Sequence, residues 1–188
     1  MLVMFDTTTP DQLPNHPQAV AGYVSGRWPD YGTIRKLYPH AKHLSISTNV
    51  STTADCLDIE SGDAKPVSAP DWYRRAVQEN VWRPCFYADL STMPEVRKQL
   101  DAAGIDRADY RLWVADWTHT PHLPDGYDAC QWTDKALGRN LDESLCAPDF
   151  FPQRRRAVPV DLVAEVRVDR LTGAWEVRGL PAGSGPLG

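Results

Sequence analysis

Two acids separated by one residue, in Asp58-Ile59-Glu60, are the part of this sequence best placed to do chemistry. Side chains alternate along an extended strand, so Asp58 and Glu60 project from one face, ~6.5–7 Å apart along the backbone. If that face turns inward, each carboxyl raises the cost of ionising the other. The expected result is one carboxylic acid held protonated near neutral pH beside one carboxylate. Such a pair can protonate a leaving oxygen while stabilising an oxocarbenium-like centre. The structural alternative is two surface acids at a strand end that accept hydrogen bonds from nearby amides.

Further polar and aromatic residues close other strand-like runs. Asp6 ends the apolar run Met1–Phe5. Tyr87 and Asp89 end Arg83–Leu90, Asp116 and Trp117 end Tyr110–Trp117, Gln131 and Trp132 lie in Tyr127–Thr133, and Asp142 follows in Asn140–Cys146. The runs Ala19–Ser25, His43–Thr48 and Ala54–Glu60 complete a set of eight before residue 150. Helical spacing falls at Tyr31–Tyr38, Asp71–Glu79 and Met93–Ala103, the last with Pro94 in its first turn and Gly104 at its end. Apolar strand, polar tip and helix in succession predict an α/β fold, a compact, partly shortened (β/α) TIM-like barrel over residues 1–151. A parallel barrel gathers its strand C-termini at one mouth, where acids and ring faces together would suit a carbohydrate. The Asn49–Thr53 link is too short for a helical crossover, which needs about a dozen residues. Either a helix is missing there, or the pair is antiparallel, or one strand is misread.

Residues 152–160 read as a polar link containing Arg154-Arg155-Arg156. The alternating segments over 161–180 then predict a C-terminal β-hairpin appendage, which could offer an edge to a protein partner or to a second copy.

Composition removes several classes. With 20 basic and 25 acidic residues the net charge is −5, and the arginines are scattered, which argues against nucleic acid as a partner. No apolar run approaches the ~20 residues of a membrane span. The start, MLVMFDTTTP, lacks the basic and apolar regions of a signal peptide, so cytoplasmic synthesis is expected and the site of action stays open. Cys56, Cys85, Cys130 and Cys146 form no CxxC pair, and at least the first three read as small buried hydrophobes. His40/His43 and His119/His122 have metal-like spacing, but neighbouring prolines break the helices that would align them. No metal and no cofactor is expected.

The ordered set Asp6, Asp58-Ile59-Glu60, Tyr87, Leu112-Trp113-Val114-Ala115-Asp116-Trp117, Gln131-Trp132-Thr133 and Leu141-Asp142-Glu143-Ser144 resembles glycoside hydrolase family 25, the lysozyme-type muramidases. It is also similar to a looser group of glycoside-hydrolase-like barrels of actinobacteria and their phages, which open with a comparable Phe-Asp-Thr. Relative to the family pattern, Cys130 replaces a Trp and Ser144 an Asn. The resemblance implies hydrolysis of β-1,4 bonds in peptidoglycan, as by an endolysin. Glu60 would be the general acid and Asp58 an orienting or stabilising group. Asp6 and Asp142 would complete an acidic floor, and Tyr87, Asp116, Trp117, Gln131 and Trp132 would line the sugar groove. The alternative is a non-catalytic glycan-binding or assembly module on a degenerate glycosidase barrel.

Overall fold

In a computed structural model, residues 1–152 form one compact unit, and residues beyond it are described only over 164–168 and 175–179. The first unit is a closed eight-stranded barrel: β1 (Leu2–Asp6), β2 (Ala19–Tyr23), β3 (Lys42–Ser47), β4 (Cys56–Asp58), β5 (Cys85–Asp89), β6 (Arg111–Ala115), β7 (Ala129–Thr133) and β8 (Asp142–Cys146). Strands β1 to β7 run parallel to their neighbours, whereas β8 is antiparallel to both β7 and β1.

The expected alternating α/β barrel is therefore corrected to a mixed β-barrel made mostly of strands. Among the described residues it carries three short α-helices: α1 (Tyr31–Leu37), α2 (Ala69–Gln78) and α3 (Met93–Ala102). They follow β2, β4 and β5 only. The reason lies in the other connections. Residues 134–141 are too few for a crossover, so the chain returns antiparallel as β8. Residues 116–128 contain Pro121 and Pro124, which remove the backbone donors a helix would need.

Residues 48–55 join two parallel strands without a helix. Asn49 Oδ1 accepts the amides of Ser51 (3.1 Å) and Thr52 (3.0 Å) and so turns the chain locally. From α2, the Trp72 indole donates to the Thr52 carbonyl (3.2 Å), and the Arg75 guanidinium holds the Val50 carbonyl.

Alternation along each strand divides the apolar residues between two layers. Met4, Ala21, Ile46, Cys56, Cys85 and Trp113 are among those filling the barrel interior. Leu57, Ile59, Phe86, Leu112, Val114 and Cys130 face outward, where α2 and α3 cover them with Trp72, Ala76, Met93 and Val96. Below, Phe150 and Phe151 join the interior core. Beside them the buried Arg111 donates to four backbone carbonyls: Arg83 (2.6 Å), Phe150 (2.9 Å), Trp82 (3.2 Å) and Asp55 (3.5 Å). All four cysteines are buried free thiols.

In the second unit, β9 (Ala164–Val168) and β10 (Trp175–Gly179) pair antiparallel, with Val166 opposite Val177. The expected link over 152–160 falls, apart from Pro152, outside the described residues. No helix among the described residues is long and apolar enough to cross a membrane.

Candidate active site

The barrel's polar mouth is assembled from the C-terminal ends of the parallel strands and, because β8 runs the other way, from the N-terminal end of β8. Short β4 ends at Asp58, but alternation continues past it. Cys56 and Asp58 face the interior, and Leu57 and Ile59 face the helices. The Ile59 amide donates to the Tyr87 carbonyl (2.9 Å), which extends the β4–β5 contact by one residue. Glu60 then emerges at the rim on the Asp58 side.

Asp58 is 2% exposed. Its Oδ2 accepts the Tyr23 hydroxyl at 3.4 Å, and its buried Oδ1 has no partner among the described residues. Loss of water, then the charges of Glu60 and Asp63, push its pKa up to about 8. Glu60 is exposed at the rim yet partly shielded. Desolvation raises its pKa, as do the charges of Asp63, Asp89 and Asp142, while the nearby Tyr87 hydroxyl opposes the rise. One carboxylate oxygen from each of Asp58, Glu60 and Asp63 lies within 4.8 Å of the others. Three oxygens so placed could contact a hard cation, but two of the acids are exposed, and such clusters are common without one. Their clear effect is electrostatic: Glu60 and Asp63 help keep the proton on Asp58, and Asp63 raises the pKa of Glu60.

A second acid pair lies on the opposite wall. The antiparallel β1–β8 register sets Asp6 directly across from Asp142. Like charges cannot both be ionised cheaply there. Burial and Asp142 raise the Asp6 pKa, and a hydrogen bond between the two carboxyls favours the proton on Asp6. Asp142 itself is pushed up to about 6, chiefly by desolvation.

Gln131, inward-facing on β7, ties the walls together. Its Oε1 accepts both the Tyr87 hydroxyl and the Trp117 indole at 2.8 Å. Two donors on that oxygen orient the amide, so Nε2 faces Asp6 (3.3 Å) and Asp142 (3.4 Å). Tyr87 packs against Trp113 with ring centroids 4.6 Å apart and the rings tilted by 57°, and the Trp113 indole donates to Ser144 Oγ (3.0 Å). The tyrosine therefore stands on a rigid column.

Of the residues singled out by sequence, Asp6, Asp142, Gln131, Tyr87 and Trp117 share one hydrogen-bond network. Asp58 and Glu60 adjoin it, linked by the Glu60–Tyr87 contact. Asp116 lines a rim cavity with Glu60, Asp89, Leu90 and Trp117, and its carboxylate holds His122 Nε2 at 2.8 Å. Trp132 is separated from the mouth. It lies where the β7–β8 register shifts between Gln131 and Thr133, and it packs against the outer layer containing Cys130 and Val114. Tyr23, Asp63 and the Arg27–Trp28 pair belong to the mouth and were not singled out. Tyr23 could have been, since it ends β2 as Asp6 ends β1. Arg27, Trp28 and Asp63 lie in loops, where no periodicity signals direction.

Three cavities meet at Glu60. One of about 410 Å³ runs toward Lys65 and Thr92, one of about 430 Å³ toward Trp117, and one of about 210 Å³ toward Trp28. Trp117 and Trp28 are 54% and 59% exposed, so each offers a ring face to solvent.

No protein-family model matches the chain, and no curated protein matches it in sequence. Several solved structures are similar to it, two of which follow. An uncharacterized B. stearothermophilus protein is 15% identical with a TM-score of 0.54, over 80% of this chain and 98% of its own. GHIP of Streptococcus pneumoniae, described as a virulence factor, a glycosyl hydrolase 25 participating in host cell invasion, is 10% identical with a TM-score of 0.48, over 78% of this chain and 87% of its own. At 15% identity, the likeness to the first is one of fold.

Proposed function

We propose that the barrel is a glycoside hydrolase acting on β-1,4 bonds of bacterial peptidoglycan. The observation that carries this reading is the carboxyl pair on β4. Asp58 is deep and neutral up to about pH 8, and Glu60 lies directly above it at the junction of three open cavities. Glu60 is the member a glycosidic oxygen can reach, and its raised pKa lets it give that oxygen a proton as the bond breaks. Asp58, neutral and lining the cavity on the Trp28 side, donates a hydrogen bond to a hydroxyl or acetamido oxygen of the sugar and orients it, and water adds to the anomeric carbon that the leaving oxygen vacates. Asp6 and Asp142 keep the opposite wall acidic, which favours the positive charge that develops on the sugar ring. Exposed Trp117 and Trp28 give ring faces on either side of the acids for stacking on sugar C–H groups.

The test is release of reducing ends from purified peptidoglycan. The parent protein should release them, Glu60→Gln should lose at least about 100-fold, the scale of general acid catalysis, and Asp58→Asn should fall steeply. Equal rates for parent and both variants would sink the assignment. Glycan binding without any turnover by the parent would instead identify a binding module.

A further inference from the structure

The 210 Å³ cavity on the Trp28 side of Glu60 has an unusual charge distribution. Asp58, Glu60 and Asp63 form one part of its lining, and Arg27 lies in the same lining. Arg27 makes no ion pair among the described residues, and its guanidinium stacks on Trp28, 5.2 Å from the ring centroid. It does not neutralise the acids, because the pKa of each is pushed up and Arg27 is not among the causes for any of them. The cavity thus pairs an acidic side, on which Asp58 holds its proton, with an uncommitted cation.

The loop that presents Arg27 is built rather than slack. At its start the Ser25 hydroxyl bonds Ser47 Oγ (2.9 Å) and accepts the Thr48 amide (3.0 Å). At its end Asp30 Oδ1 accepts the Tyr23 amide (2.8 Å), and the Asp30 amide returns to the Tyr23 carbonyl (3.0 Å). Gly26 adopts φ +91°, and a Cβ there would meet Thr48 Oγ1 at 2.8 Å, so only glycine lets the chain pass and carry Arg27 to the rim. The anchored backbone and the Trp28 ring limit where the guanidinium can lie, and its planar fork matches a carboxylate.

We propose that this cavity is a subsite for a sugar bearing a free carboxylate, with Arg27 pairing with the carboxylate and Trp28 stacking on the ring. The inference deepens the glycosidase reading by naming what occupies one side of the cleaved bond. Two sources share the chemistry: a uronic acid, and a muramic acid whose lactyl carboxyl carries no peptide. In a protein of net charge −5 with an acidic mouth, such a ligand would be repelled without a local cation.

Binding is measured by isothermal titration in Glu60→Gln protein, so that turnover does not interfere. The ligands are oligogalacturonate, peptide-free muramyl-glucosaminyl oligosaccharide, the carboxyl-reduced form of each, and neutral chitin oligomers. At least one carboxylated ligand should bind about tenfold more tightly than its reduced form, with the preference weakening as salt rises. Adding Arg27→Gln should erase the preference and leave chitin affinity unchanged, and Arg27→Lys should restore part of it. Trp28→Ala should weaken all ligands that bind. Which acid shows the preference identifies the source. Equal binding of reduced and carboxylated forms, loss of chitin and acid binding together in Arg27→Gln, or no binding by either acid would overturn the proposal. Carboxylate-dependent binding with no hydrolysis by the parent protein would sink the glycosidase reading and leave this subsite standing. Hydrolysis indifferent to Arg27 would do the reverse.

Discussion

Asp58 shows how much one buried acid can shape a protein's response to pH. Its pKa is near 3.8 in an unfolded chain and about 8 in the folded barrel, so between those values the native state holds the extra proton. Its contribution to stability is therefore complete below about pH 4 and is lost progressively as pH rises through 8. The Asp6–Asp142 pair, with Asp142 at about 6, acts in the same direction. Thermal melts should show Asp58→Asn gaining at least about 3 °C over the parent at pH 8.5, the shift that ~1 kcal/mol produces at this size, and gaining less at pH 5. An equal shift at both pH values would contradict the buried acid. The same proton sets a limit on catalysis, and activity should fall as pH rises past about 8.

At the scale of elements, neighbouring residues on a strand cannot serve the same face. Gln131 and Trp132 were both expected in the groove, yet on β7 Gln131 faces the interior and Trp132 packs against the helix-covered layer. Asp116 and Trp117 escape this rule because β6 stops at Ala115. The β3–β4 link was legible as too short for a helix, and the sequence left three explanations open. The structure selects a parallel pair with no helix, because Asn49 caps the turn and Trp72 and Arg75 satisfy its carbonyls from outside. Asn49→Ala removes acceptors for two amides and a hydroxyl, and should cost about 1 kcal/mol, a fall of ~2–4 °C in Tm. No measurable change in Tm would show that the link is held by α2 alone.

For the barrel as a whole, Arg111 acts as a clamp. Its four carbonyl acceptors come from segments preceding β4 and β5 and following β8, so one side chain joins distant parts of the chain at the barrel floor. Arg111→Met keeps much of the apolar stem but strands buried acceptors. Denaturant unfolding should show a loss of about 3 kcal/mol or more, with the m-value unchanged if the barrel still unfolds as one unit. A loss under about 1 kcal/mol would mean that water replaces the guanidinium at no great cost.

What the sequence determined by itself was local: the eight strand-forming runs, the three helices that exist, and the side on which Asp58 and Glu60 must both project. Those follow from period and punctuation, which need only neighbours in the chain. The tertiary structure decided whether a connection became a helix, that β8 returned antiparallel, and hence that Asp142 faced Asp6 across a ladder. It also brought Asp63 and Arg27 to the Asp58–Glu60 pair. Desolvation and charge coupling depend on distances through space, and residues as far apart in sequence as Asp6 and Gln131 meet only once the barrel closes.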